Sequence, residues 1–434
     1  MIPKYTLSSS IPGPADITRQ VLRNGIVLLT RSNFNSSSVV ISGYVSAGSQ
    51  LDPLEKLGLA HFTALALMRG TESSDFQSLY DRLESAGASL GFGASVHTTS
   101  FSGRALAEDL PLLFATLAEC LSSPVFPSEQ VSRLRAQLLT GLAIRGQSTR
   151  DTAALEFDSL LFPDHPYGRP EDGYTETIQN ITRDDLADFR RQQYGPEGMK
   201  LAVVGAVSAD RVFELAEKHF GNWLTGHKRQ TCSFKAIKPP QASITRKVII
   251  PGKSQTDLII GTLGPKRKDP EYLAASLGNS ILGQFGLMGR VGDAVREKAG
   301  LAYYASASLN AWIESGSWEV SAGVSPGNVE KATALIIEEL RRFTTEPVSQ
   351  EELEDNQNNY IGRMPLSLES NAGVANSILN LERFELGLDY LQRYSTLVSA
   401  LTRDHILAAA RKFISPEKLI IVSAGADGKV NNNP

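Results

Sequence analysis

Apolar positions along the chain follow two periods in alternating blocks. From Val21 to Leu28 two β-rich runs flank Asn24-Gly25, a hairpin turn pair, and Val39, Ile41, Gly43 and Val45 then alternate with Ser42, Tyr44 and Ser46. Helical spacing takes over in Leu54 to Met68, Phe76 to Ala86, Leu106 to Leu121 and Ser128 to Arg145, where Leu134, Leu138 and Leu142 form an i, i+4 stripe. Later in the chain, Lys247 to Ile250, a Pro251-Gly252 turn and Asp257 to Gly261 again read as strands. Antiparallel strands, then several helices, then a closing strand predict an α+β layered domain, a mostly antiparallel sheet with helices packed on it.

That unit is written twice. Thr182-Arg183-Asp184 opens an amphipathic helix that leads through Gly195-Pro196-Glu197 to the apolar strand Leu201-Ala202-Val203-Val204-Gly205. Thr402-Arg403-Asp404 opens another, leading through Ser415-Pro416-Glu417 to Leu419-Ile420-Ile421-Val422. The offset is 220 residues, from Thr182 to Thr402 and again from Pro196 to Pro416, and Asp52-Pro53 recurs as Asp269-Pro270. Three matches in one order at nearly one spacing indicate a duplication. Between the copies, Leu224 to Ser243 carries Lys228, Arg229, Lys235, Lys238 and Pro239-Pro240 with no acidic residue, the composition of a linker; a positively charged docking surface is the other reading. The expected organisation is a first domain over 1–223, a linker over 224–243 and a second domain over 244–434.

Composition narrows the classes. The 434 residues exceed one compact core, and the balance of 43 Lys+Arg against 47 Asp+Glu, with no long single-sign run, lacks the footprint of a nucleic-acid binder. Cys120 and Cys232 form neither a CxxC nor a disulfide framework, which suits a reducing compartment. No apolar run has the length of a membrane span, and Met1 to Asp16 has no apolar stretch ahead of a small-residue cleavage site. The chain reads as cytoplasmic, although a mature protein left by a removed signal would look the same.

Gly58-Leu59-Ala60-His61-Phe62-Thr63-Ala64-Leu65, followed by Gly70-Thr71, resembles the signature helix of the M16 (pitrilysin, insulinase-like) metallopeptidases, G-L-A-H-F-x-E-H and then G-T. In that family two His at i and i+4 bind zinc, and the intervening Glu is the general base. Here the first His is His61, but the Glu position holds Ala64 and the second His position Leu65. The family's third ligand is a Glu about 80 residues after the first His, near Gly141, and no acidic residue occurs from Arg133 to Gln147. The resemblance therefore implies no metal in this chain. His61 reads as a helix histidine that is hydrogen-bonded or half-buried, or as a vestigial ligand; Leu65, Ala66 and Met68 read as packing.

The resemblance runs from Ile17 to Gly425. Ser85-Ala86-Gly87-Ala88, the Asp164 to Pro170 segment (H-P-Y-G-x-P) and Ile181 to Gly205 follow family order, which implies the LuxS/MPP-like metallohydrolase fold of two homologous domains. In the second half, Arg296-Glu297-Lys298-Ala299-Gly300-Leu301-Ala302-Tyr303 resembles the family's R-E-K-x-G-L-A-Y segment, so Arg296 and Tyr303 have the spacing of its "R/Y pair". A guanidinium can donate to peptide carbonyls, and a tyrosine hydroxyl to the oxyanion of acyl transfer. A charge at a helix C-terminus and a strand aromatic are the plain reading of the same two residues, and Tyr304, on the opposite strand face by alternation, rivals Tyr303. Gly283, Gly286 and Gly289 match neither a Walker loop nor a dinucleotide fingerprint; they resemble the glycine-rich loop that processing peptidases associate with substrate entry, or form a connecting turn.

In two-chain members of the family one subunit carries the zinc motif and the other lacks it but keeps the R/Y pair. The resemblance thus implies the zinc-free, non-catalytic subunit of a heterodimeric peptidase, with zinc in a homologous partner and an extended peptide as substrate, bound by strand addition. The alternative is a structural protein derived from such a peptidase, with no peptidase role.

Overall fold

The computed structural model describes residues 11–224, 234–286 and 289–426. His227, Lys228, Arg229 and Cys232 of the expected linker, and positions 287–288 of the glycine-rich segment, lie outside the described residues. The chain forms two compact units, and neither is continuous in sequence. One comprises Met1–Leu142, Pro170–Ser233 and Met364–Arg393, the other Ala143–Arg169, Phe234–Arg363 and Tyr394–Pro434.

The first unit is built on a six-stranded sheet: β1 (Thr18–Val21), β2 (Val27–Ser32), β3 (Ser38–Val45), β4 (Ser89–Ala94), β5 (Thr99–Leu106) and β6 (Lys200–Gly205), in the order β1-β2-β6-β3-β5-β4. Only β2 and β6 run parallel. Leu28, Val39, Ile41, Leu201 and Val203 face the main core, where they meet Phe62, Leu113 and Leu117 from the helices that follow β3 and β5. The opposite face presents Val27, Leu29, Tyr44, Ala202 and Val204, and it is covered by Val374, Ala375 and Ile378 of the helix Asn371–Arg383. A sheet covered on both faces explains why β6 reads as an unbroken apolar run. The helix is anchored at its end by Glu382, which accepts from Arg19 at 2.9 Å and Lys200 at 3.3 Å.

The second unit has five strands: β7 (Ile244–Ile249), β8 (Thr256–Gly264), β9 (Ala302–Ala311), β10 (Gly316–Val324) and β11 (Ile420–Gly425), in the order β7-β11-β8-β10-β9 with β7 and β11 parallel. Its wiring repeats β2-β6-β3-β5-β4 strand for strand, so the fold is α+β with two homologous domains, as the repeated pattern predicts. Leu258, Ile260, Ala305, Ala307, Trp318 and Val320 face a core filled by Ile336, Leu340 and Phe343 of the helix Val329–Thr345. The helix Thr149–Leu161, with Ala153, Phe157 and Leu161 buried, packs on the other face against β8 and β11.

Two expected helices are shorter than the periodicity indicates. The run from Leu54 breaks at Gly58, at φ 93°, leaving 3-10 turns on either side of the helix Leu59–Ala66. Leu106 ends β5, and the helix begins at Leu110 with Pro111 in its first turn, where a missing N–H costs nothing. The helix Ser128–Arg145 has the expected bounds. The repeat also reaches single residues: Thr182 and Thr402 each cap their helix, accepting from the N3 amide.

The strands β6 and β11 end on equivalent glycines. Gly205 has φ +146° and a Cβ there would lie 2.2 Å from Ser38 O; Gly425 has φ +158° and its Cβ would lie 2.5 Å from Gln255 O. We expect Gly205→Ala and Gly425→Ala each to lower unfolding free energy by about 1–3 kcal/mol. Gly141→Ala, in the exposed middle of the helix Ser128–Arg145 with nothing near its Cβ, should raise it by about 0.5–1 kcal/mol. Urea denaturation of the three variants separates the two outcomes.

Candidate functional site

The helix Leu59–Ala66 is started by an aspartate rather than a hydroxyl cap. Asp52, almost fully buried, accepts from the Gly58 amide and the Ala60 amide, both at 2.9 Å, and so satisfies donors that the first helical turn leaves open. Burial outweighs these amide hydrogen bonds and pushes its carboxyl up to about 7. On the helix itself His61 is half-buried, and desolvation lowers its pKa against the pull of Asp172. Ala64, at the family's general-base position, is fully buried, and Leu65, at the second His position, packs against the core. Cys120 is buried against Met68, with its Sγ 3.5 Å from the thioether sulfur, and burial pushes the thiol up to about 12, which leaves it inert.

These residues do not fit a catalytic zinc ion. One imidazole remains where three ligands are needed, and among the described residues no group of three or more His, Cys, Asp or Glu side chains is placed to hold a metal ion.

In the second unit, Arg296 lies near the end of the π-helical turn Gly292–Lys298, where the Gly300 amide closes onto its carbonyl and Gly300 turns the chain at φ +63°. Its side chain is half-exposed and pairs with Glu297 at 3.5 Å. Tyr303 follows at the start of β9, 64% exposed, its hydroxyl 3.5 Å from Ser325 Oγ. Of the three glycines, Gly283 closes the helix Tyr272–Gly283 where a Cβ would lie 2.2 Å from Ala307 N, so it permits the helix to touch β9. Gly289, at φ +65°, turns the chain where a Cβ would meet Ile281 O at 2.5 Å; Gly286, at φ +62°, is exposed with open space around it. The next residue, Arg290, makes a bidentate pair with Glu352, both contacts 2.6 Å, and holds that carboxyl down at about 2.

Tyr304 differs sharply from Tyr303. Half-buried, it donates to Asp257 Oδ1 at 2.5 Å, while Thr149 Oγ1 donates to Oδ2 of the same 2% exposed carboxylate at 2.5 Å. Gln255 Nε2 adds contacts of 3.2 Å to both oxygens, and the Arg150 guanidinium lies 5.7 Å from the Tyr304 ring centre. Burial and the neighbouring carboxylate hold the Tyr304 phenol well above its ordinary value. Of this cluster the sequence analysis names only Tyr304, as the rival of Tyr303; the other visible signal is Asp257, a charge near the head of a largely apolar strand. In the Asp164 to Pro170 segment His165, Pro166 and Tyr167 are buried; His165 Nε2 meets Glu314 at 3.2 Å and the ring packs 4.5 Å from Tyr167.

The comparisons with known proteins agree with this architecture. The profile for insulinase (peptidase family M16) matches residues 27–149, and that for the peptidase M16 inactive domain matches 180–360. An uncharacterized zinc protease of Rickettsia bellii is 25% identical over 92% of this chain and 89% of its own. The mitochondrial-processing peptidase subunit beta of Saccharomyces cerevisiae is 24% identical over 86% of this chain and 82% of its own. A solved peptidase M16 inactive domain from Pseudomonas fluorescens superposes with TM-score 0.88 at 26% identity, covering 95% of this chain and 98% of that one. A protease from Helicobacter pylori shares the fold, with TM-score 0.88 at 19% identity over 96% of this chain and all of that one. The chain belongs to the insulinase-like M16 peptidase family.

Asp52 generates a test of the helix it starts. The native carboxyl, raised from 3.8 to about 7, holds a proton that the unfolded chain has released, so the stability it contributes is lost as pH rises through that window. We expect the stability difference between Asp52→Asn, uncharged throughout, and the wild type to shift in favour of the variant between about pH 4 and about pH 8 in urea melts. Asp52→Ala, which strands buried amides, should cost about 1–3 kcal/mol.

Proposed function

We propose that this chain is the zinc-free subunit of a heterodimeric M16 peptidase, and that it lends Arg296 and Tyr303 to the active site of a zinc-bearing homologue. The observation that carries the reading is a contrast within one molecule. Ala64 and Leu65 make packing of the family's metal-site positions, whereas Arg296, half-exposed, and Tyr303, exposed, have the family spacing and polar ends that reach solvent. Exposure of this degree is shared by Phe34 and Leu366, so the support comes from the spacing of Arg296 and Tyr303 and not from exposure alone.

In this role the Arg296 guanidinium donates to backbone carbonyls of an extended peptide and holds it in register. The Tyr303 hydroxyl donates to the scissile carbonyl oxygen as that atom gains negative charge, so its contribution is greatest in the transition state. Zinc belongs to the partner, where it activates water and polarises the same carbonyl. The peptide joins a sheet edge as an added strand, main-chain bonds supplying affinity and side-chain pockets preference. Gly283, Gly286 and Gly289 form the turn by which it enters. Among the described residues no helix is long and apolar enough to cross a membrane, and we place the pair in the cytoplasm.

The test begins with the chain recovered from its host together with whatever co-purifies in near-equal amount. A homologue with an intact H-x-x-E-H is expected. In the reconstituted pair, Arg296→Ala or Tyr303→Phe should lower kcat on peptide substrates by about a hundredfold, while His61→Ala leaves it unchanged. Unchanged rates in the first two variants, or an assembly without a zinc-bearing homologue, would establish the scaffold reading instead.

A further inference from the structure

Tyr303 occupies an irregular position on β9. Tyr304 lies opposite Gly323 on β10, but the next pair, Val324 on β10, is opposite Ala302. Two residues of β10 therefore face three of β9, and Tyr303 is the extra one, without a partner in the ladder. This is a β-bulge, a local kink that redirects a side chain and leaves part of the strand unpaired. A bulge on an edge strand has neighbours on one side only, and β9 is the edge of its sheet. By itself such a segment can exchange between alternative registers.

We propose that Asp257 and Tyr304 are positioning residues, a buried clamp that fixes the bulge carrying Tyr303. The inference rests on the role given to Tyr303 above. Asp257 on β8 and Tyr304 on β9 lie in one row across β10, since Gly323 pairs with both. The Tyr304 ring crosses the intervening strand over Gly323, where a Cβ would stand 2.5 Å from Tyr304 Cε1 and 2.7 Å from Gln255 Nε2. A glycine at that one position lets the phenol reach the carboxylate. The carboxylate is itself held, by Thr149 at the start of the helix Thr149–Leu161 and by Gln255. The residue immediately after the bulge is thus tied to a fixed point on the second strand inward, and a slip of β9 by one residue would carry Tyr303, not Tyr304, into that hydrogen bond. The clamp chooses which of two adjacent tyrosines stays free.

The clamp is read in the full chain by backbone amide exchange followed with mass spectrometry, independently of any peptidase activity. Tyr304→Phe keeps the ring and removes the donor; exchange over Leu301 to Ser306 should quicken by about tenfold, with the other strands of the sheet unchanged. Asp257→Asn retains an oxygen to accept from Tyr304 and should stay nearer the wild type than Asp257→Ala. In the reconstituted pair, Tyr304→Phe should lower kcat with KM unchanged, and adding it to Tyr303→Phe should lower kcat no further, because one residue acts through the other. Exchange equal to wild type in Tyr304→Phe, or an equal rise throughout β7 to β11, overturns the clamp. If exchange quickens as expected but Tyr303→Phe does not affect the rate, the clamp stands and the role assigned to Tyr303 falls.

Discussion

Each sheet carries an apolar surface on both of its faces over part of its width, and no element next in sequence covers the second one. On β2, β6 and part of β3 the outer residues are Val27, Leu29, Ala202, Val204 and Tyr44; on β8 and β11 they include Ile259, Ile420 and Val422. Left in water, each such aliphatic side chain would forgo about 1.5–3 kcal/mol. The helices Asn371–Arg383 and Thr149–Leu161 meet this need, and each is taken from the opposite half of the sequence. The exchange binds the two copies of the repeat into one folding problem: neither sheet is covered by its own half alone.

The same faces are polar on their remaining strands. Ser100, Ser102 and Arg104 alternate outward on β5, and on the equivalent β10 the alternate positions are Ser317, Glu319 and Ser321. Beside them β9 contributes Tyr304, Ser306 and Ser308. The two polar regions differ in cover: Ser100, Ser102 and Arg104 are exposed, whereas Ser317 and Ser321 are buried and Arg150 of the helix Thr149–Leu161 reaches over Tyr304. Around Glu319, where burial raises the carboxyl, Ser317 and Asn310 supply hydrogen bonds that keep a charged residue tolerable on that surface.

Much of this was legible in the amino-acid pattern. Alternation marked β3, helical spacing marked Ser128–Arg145 to its ends, and the Thr182/Thr402 match anticipated two sheets with one wiring diagram. Ala64 and Leu65, which the resemblance sets at the family's general-base and second His positions, read as packing in the sequence, and both pack inward in the structure. What the pattern did not reveal depends on distance in sequence. Thr149 and Asp257 are 108 residues apart, and Tyr304 and Asp257 47, so no local periodicity links them. The bulge is equally hidden, because strict alternation through Ala302-Tyr303-Tyr304 places the two tyrosines on opposite faces, and the ladder inserts its extra residue at Tyr303, where that rule would be applied.

The contrast between the two halves follows from what each chemistry requires. A catalytic zinc ion needs three ligands, and apolar side chains such as Ala64 and Leu65 gain by packing inward instead. Hydrogen-bond donors at Arg296 and Tyr303 need no metal in the same chain, so their value survives its loss provided their geometry does. That geometry is the costly part: an unpaired residue on an edge strand, a buried carboxylate, and a glycine that gives up side-chain packing. An ordinary strand pair and an apolar residue would be the simpler arrangement at each place. The two units differ in this respect: on the helix Leu59–Ala66 the side chains at 64 and 65 are apolar and packed, whereas β9 keeps an exposed tyrosine beside a buried carboxylate.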